Sequence, residues 1–161
     1  MINKTRLLDD IIKALEALYQ DAYDAAMRAY DTATNEENEA ENKYDTLGLE
    51  ASYLAHGQSR RVTECKADLN AFKKLKTNES DSSKYIKIGS VIYLLDESNK
   101  VLILFLGPAA GGLNVKSAEA NITIITSSAP LGKSLLGHSA DDEVELKLGD
   151  TKKHYTITDV F

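Results

Sequence analysis

The 161-residue chain has one cysteine, two prolines, no tryptophan and no excess of positive charge. Each shortage removes a class of protein. Cys65 alone cannot close an internal disulfide, so a stapled secreted scaffold is excluded. The opening MINKTRLLDDII lacks the sustained apolar core of a secretory leader, and the cytoplasm is the expected compartment. The richest apolar run, Val101 to Leu106, has the length of a strand and falls far short of the roughly 20 residues a bilayer-crossing helix needs. No membrane partner is expected. A formal net charge of -6 and the lack of a basic tail argue against tight binding to duplex nucleic acid, so any nucleic-acid role is indirect. His56, His138 and His154 are far apart and show no ligand spacing such as HExxH, which gives no reason to expect a resident metal. Hydrophobic residues at 43% and charged residues at 27% suit a folded chain.

What is present divides into two patterns. Leu8, Ile11, Leu15, Leu18, Ala22, Ala25, Ala29 and Thr32 alternate three and four residues apart, a heptad seam uninterrupted by Pro or Gly. The spacing predicts a helix from about Lys4 to about Ala33, with Asp9 and Asp10 near the positive end of its dipole. A second seam runs through Tyr44, Leu47, Ala51 and Leu54, slips near Gly57, and resumes at Val62, Cys65, Leu69 and Phe72. Folding the chain back near Glu36 and Glu37 sets Ala22 opposite Ala51 and Leu8 opposite Cys65, small residues of the first helix meeting larger ones of the second near the tip. An antiparallel coiled-coil hairpin follows, over residues 1–77. Such a hairpin satisfies its own seam, so a monomer is expected.

The polar stretch at 78–84 reads as a linker, and beyond it the period changes. Ile86 to Asp96, Lys100 to Gly107, Asn121 to Ser127, Asp142 to Gly149 and Lys153 to Val160 are β-branched and aromatic runs bounded by turn residues, five expected strands in a domain at 85–161. Glu-Ser-Asn at 97–99 and Gly-Asp at 149–150 mark hairpin turns, which makes much of the sheet antiparallel. APLGKSLLGH places Pro130 where a first helical turn tolerates it and Gly137 where a helix ends. The fold class is α+β: an N-terminal helical hairpin followed by an antiparallel sheet with one short helix.

SSAPLGKSLLGHSADDEVEL, at 127–146, together with IGSVIYLLDE, at 88–97, closely resembles the C-terminal domain of the bacterial Gre transcript-cleavage factors. The resemblance implies an FKBP-like sheet domain that docks on bacterial RNA polymerase at the rim of its secondary channel. The docking motif would comprise Pro130, Leu131, Gly132, Lys133 and His138. Within it Pro130 starts the helix, Gly132 permits close approach, Leu131 and Leu136 face the sheet, and Lys133 and His138 are the polar members. The first half resembles the Gre coiled coil in layout more than in residues. It implies a hairpin that enters the channel and uses tip carboxylates to help hold a catalytic magnesium ion belonging to the polymerase, with no cofactor and no catalytic residue of its own. Carboxylates suit that role because magnesium prefers hard oxygen ligands.

Here the tip reads ATNEENEAENKYDT, with Glu36, Glu37, Glu39 and Glu41 around the turn. The family pattern, an aspartate followed three residues later by Glu-Asn, fits in two registers. One puts the glutamate at Glu41 and the aspartate position on Asn38; the other puts them at Glu37 and Thr34. Neither keeps the aspartate, although Glu36 and Glu39 have the three-residue spacing that shares one helical side. Arg60 and Arg61, with Lys66, Lys73, Lys74 and Lys76, make the far end of the second helix basic, a candidate contact for nascent RNA. Three functions therefore stay open: a factor that stimulates cleavage of backtracked RNA, a channel-binding regulator that does not, and a coiled-coil adaptor for another protein.

Overall fold

A computed structural model of the chain describes residues 2–35, 46–75, 84–118 and 120–161. Helix α1 spans Lys4–Thr34 and α2 spans Leu47–Lys73. Strands β1 (Val91–Asp96), β2 (Val101–Gly107), β3 (Asn114–Ser117) and β4 (Ala120–Thr126) precede the short α3 (Pro130–Leu135). Strands β5 (Glu143–Leu148) and β6 (Thr151–Val160) end the chain. Two compact units result: Met1–Ile12 with Ala71–Phe161, and Lys13–Asn70. The compact division thus falls within both long helices, whereas the linker inferred at 78–84 lies, except for Lys84, outside the described residues.

In the sheet unit the six strands are ordered β3-β4-β2-β1-β6-β5. The α+β class holds, with two corrections. First, β3 pairs antiparallel with β4, Val115 opposite Ile122, a strand beyond the five expected. NVKS offers one apolar residue, too little for a period to register. Second, β2 and β4 run parallel, Phe105 opposite Ile124, so the sheet is mixed and not antiparallel throughout, although its other pairings, both predicted hairpins among them, are antiparallel. Turn residues report only on hairpins, and the return through β3 leaves no such mark. The expected hairpin turns are present: Asp96 Oδ1 accepts the N–H groups of Ser98 and Lys100, both at 2.9 Å, while Asn99 takes the left-handed conformation that closes β1–β2.

Each face of the sheet is covered differently. Beneath α3, Leu135 joins Ile92, Leu94, Leu104, Leu106, Val144 and Ile157 in the main core. The other face meets the last turn of α2, where the Phe72 ring, fully buried, lies 6.1 Å from the Phe105 ring. Alternation along β2 makes this possible, Leu104 and Leu106 facing one way, Phe105 and Gly107 the other. The start of α1 belongs to the same unit: Asn3 caps it by accepting the Arg6 N–H at 2.7 Å, and Leu7 and Ile11 are fully buried. Asp10 is turned to the sheet and accepts a hydrogen bond from buried Ser117 of β3 at 2.7 Å.

In the hairpin unit, burial corrects the second seam. Ala51, Ala55, Gln58, Val62, Cys65 and Leu69 are buried or half-buried, a 4-3-4-3-4 spacing with no slip at Gly57, and Leu54 is 56% exposed. Ala55 and Gln58 are inward but are not large and apolar, so a search for apolar periodicity passes over them and selects Leu54 beside them. The register changes too. Ala51, Leu54 and Gln58 of α2 line one groove with Ala25, Arg28, Ala29 and Thr32 of α1, so Ala51 lies nearer the tip end of α1 than the expected Ala22.

Candidate functional site

The sequence places candidate function at the hairpin tip, on the basic part of α2, and around α3. Glu36, Glu37, Glu39 and Glu41 all lie outside the described residues. What is described is how the chain leads into and out of them: α1 continues to Thr34, and α2 restarts behind Thr46, whose carbonyl accepts the Glu50 N–H at 2.8 Å and whose hydroxyl donates to Glu50 Oε1 at 2.9 Å.

Arg60 and Arg61 are exposed, but both turn to one carboxylate. Arg60 Nε lies 3.3 Å from Glu64 Oε1 and Arg61 Nη1 lies 3.9 Å from Glu64 Oε2. One turn on, partial burial raises the pKa of Asp68, with Arg61 opposing the rise and Glu64 adding to it. The local charge is thus more balanced than the run of Arg and Lys suggests. Exposed pairs of this kind contribute about 0–1 kcal/mol and open easily to a stronger anion.

Around α3 the structure brings the inferred docking residues together. Ala129 is extended, with φ -69° and ψ 147°, as the residue before a proline prefers, and Pro130 then occupies the first helical turn where its missing N–H costs nothing. Gly132 is buried against the end of β4, and a Cβ there would collide with the Thr126 carbonyl oxygen. That close approach holds α3 to the sheet. Leu131 is half-buried against the core, and Pro130 and Lys133 are exposed on the outer side. The expectation for Leu136 is corrected: it ends the helix at 41% exposure, and Leu135, one helical turn beyond Leu131, is the leucine that faces the sheet.

His138 follows directly. Its N–H donates to the Leu135 carbonyl at 3.1 Å, its carbonyl accepts the Ile86 N–H at 2.8 Å, and its Nδ1 sits 3.3 Å from Asp142 Oδ2. Asp142 also accepts the Ser139 N–H at 2.8 Å and the Ser139 hydroxyl at 3.3 Å. The Ser139 N–H, followed by His138, holds the Asp142 carboxyl below the usual carboxylate range. This turn fixes the His138 backbone and leaves the imidazole half-exposed beside α3. Among the described residues no three His, Cys, Asp or Glu side chains group to hold a metal ion, and no helix is long and apolar enough to cross a membrane.

One feature of the hairpin escaped the sequence reading. Tyr23, Met27 and Tyr30 of α1 are 44%, 40% and 57% exposed, and Tyr53 of α2 is 71% exposed. Their spacing was visible, but a search for inward stripes discards outward ones.

The family model described as transcription elongation factor GreA/GreB, C-terminal, matches residues 81–161, which include β1 to β6 and the whole α3 motif. The chain belongs to the GreA/GreB family. A comparison with curated protein sequences finds no match. Among solved structures, the GreA factor homolog 1 protein of Thermus thermophilus is 20% identical, with 93% of this chain and 94% of that chain covered and a TM-score of 0.39. Its Thermus aquaticus counterpart is 18% identical, with 92% of each chain covered and a TM-score of 0.38. A GreA/GreB elongation factor from Nitrosomonas europaea is 20% identical over 60% of this chain and 78% of that one, with a TM-score of 0.34. This Gre-family chain is accordingly a transcription elongation factor, and membership implies RNA polymerase as its partner.

Proposed function

We propose that this Gre-family factor docks on RNA polymerase at the rim of the secondary channel through Pro130, Leu131, Gly132, Lys133 and His138. Its hairpin then enters the channel, and Glu36, Glu37, Glu39 and Glu41 help hold the polymerase's catalytic magnesium during hydrolysis of backtracked RNA. The observation that carries this reading is the family match over the sheet domain, whose α3 motif presents Pro130 and Lys133 outward on a helix anchored by Leu131, Gly132 and Leu135. The roles divide by chemistry. Exposed side chains on a helix pinned to a sheet suit a fixed docking surface. Carboxylates suit a shared magnesium site, where the metal supplies the activated water and the factor supplies oxygen ligands. The protein is then an accessory to the polymerase's own nuclease activity, works as a monomer in the cytoplasm, and meets nascent RNA only indirectly, near Arg60 and Arg61.

A second reading, a channel-binding regulator that does not stimulate cleavage, is favoured by one observation: neither register of the tip keeps the family aspartate. Polymerase stalled on backtracked, end-labelled RNA separates the two. Under the first, addition of the factor shortens the transcript, and changing all four tip glutamates to alanine abolishes shortening while binding persists. Binding without shortening by the unaltered protein establishes the second reading, and loss of binding removes both.

A further inference from the structure

The two polar side chains of the inferred docking motif differ in how firmly they are held. Lys133 is exposed on the outer side of α3, at the end of a flexible four-carbon stem. His138 is flanked on both sides by chain that the core fixes. Before it, its N–H donates to the carbonyl of Leu135 and its carbonyl accepts the N–H of Ile86, and both of those residues lie in the main core. After it, Asp141 takes a left-handed conformation at φ 70° and donates its N–H to the Ile157 carbonyl at 2.8 Å, while the Asp142 carbonyl accepts the Ile157 N–H at 2.9 Å. Ile157, in β6, is fully buried. The Asp142 carboxylate therefore stands on a fixed backbone. The Ser139 N–H and hydroxyl, at 2.8 and 3.3 Å, hold its Oδ2 where it meets His138 Nδ1, 3.3 Å away.

An ionised carboxylate only accepts hydrogen bonds, and the Ser139 N–H, followed by His138, keeps Asp142 ionised. The ring nitrogen that faces it must then carry a proton, because two acceptors at that distance would repel each other. On the opposite edge of the ring, Nε2 has no partner among the described residues. We infer that Asp142 is a positioning residue for docking: it keeps the proton of the neutral His138 imidazole on Nδ1 and so presents an unprotonated Nε2 to RNA polymerase as a hydrogen-bond acceptor. The polymerase group that meets it is then an N–H or O–H donor. This rests on the docking reading above and goes beyond it, giving a role to a residue outside the docking motif. Carboxylates orient functional imidazoles in the same way around metal sites, by bonding the nitrogen that the partner does not use. A ring oriented before contact also loses less side-chain freedom on binding than Lys133 does.

Nitrogen NMR of the full-length protein at mildly alkaline pH reads the tautomer, with the His138 signals identified by their loss in His138→Ala. The expected result is a proton on Nδ1 in the parent and a shift toward a proton on Nε2 in Asp142→Ala. A parent ring protonated on Nε2 overturns the inference, without any variant of Asp142 having to fold. Binding to RNA polymerase, measured below the thermal transition of each variant, is the second readout. Asp142→Ala should weaken it by about three- to tenfold, the loss expected when a side chain must be ordered on contact, and Asp142→Asn, which keeps an acceptor oxygen in place, should recover most of that loss. Asp142→Asn binding as weakly as Asp142→Ala overturns the inference in favour of direct contact between the Asp142 charge and polymerase. In a His138→Ala background, Asp142→Ala should cost nothing further. The same loss with and without the imidazole overturns the inference, leaving Asp142 a support of the turn and docking through α3 intact. His138→Ala that binds as tightly as the parent removes His138 from the docking surface, and the inference falls with that part of the docking reading.

Discussion

Gly107 and Phe72 offer a sharp test of how α2 meets the sheet. A Cβ added at Gly107 would lie 2.7 Å from Phe72 Cζ and 2.9 Å from Ile124 Cγ2, and Phe72 is fully buried against Phe105. Gly107→Ala overpacks this contact and should cost about 1–3 kcal/mol. Phe72→Leu removes the ring atom responsible for the nearer clash and loses part of the ring contact with Phe105. It should cost on the order of 1–2 kcal/mol, below the ~3–5 kcal/mol of a truncation to alanine. In the double variant the added methyl takes space the ring has left, and the contacts with Ile124 Cγ2 and with the Ala109 carbonyl oxygen, 3.2 Å away, stay tight. The combined loss should then fall short of the sum of the singles by about 1 kcal/mol or more, well outside the ~0.5 kcal/mol scatter of independent sites. Urea unfolding followed by circular dichroism gives all four free energies, provided the m-values agree. Additive losses would mean that Phe72 does not press on Gly107, and the described seating of the α2 end would be wrong.

Three further substitutions test other parts of the structure. Asp142 has its pKa lowered in the fold, first by the Ser139 N–H, so it adds stability above the ordinary carboxylate value that is lost as pH falls through the lowered one. Asp142→Asn should therefore be less stable than the parent at pH 7, with the gap closing as the parent's carboxylate protonates; a gap independent of pH in thermal unfolding counts against the turn. On α2, Ala55→Asp places a charge on the inward stripe and should cost about 1–3 kcal/mol, whereas Leu54→Asp at the neighbouring exposed position should stay within about 0.5 kcal/mol. Chemical denaturation that ranks them the other way restores the slipped seam.

The long helices were legible because their inward positions recur over many turns: a helix expected from about Lys4 to about Ala33 runs from Lys4 to Thr34. The α3 motif was legible for another reason, the specific string of residues from Ser127 to Leu146 that marks the family. Elements that depend on partners distant in sequence were not. β3 holds its place through Val115 opposite Ile122 and the Thr123 hydroxyl donating to Asn114 Oδ1 at 2.6 Å, and the parallel pairing of β2 with β4 has no local signature. The choice between Leu135 and Leu136 turned on a single helical step of about 100°, finer than a count of leucines resolves.

The misread stripe of α2 and the outward tyrosines have a common origin. A search for apolar periodicity assumes that the largest apolar residues face inward, which holds where Leu15, Cys65 and Leu69 are buried. Toward the tip it fails, because Ala22, Ala29 and Ala51 are inside while Tyr30, Tyr53 and Leu54 are outside. A buried alanine removes about one methyl group from water, near 0.8 kcal/mol, against roughly 1.5–3 kcal/mol for a buried leucine or phenylalanine. The distal hairpin therefore gains little from its own interior, and its larger apolar side chains stay in water. Such a sequence does not maximise the stability of the free protein. It keeps the two helices slim, trading interior burial for a close approach of their backbones through Ala22, Ala29 and Ala51.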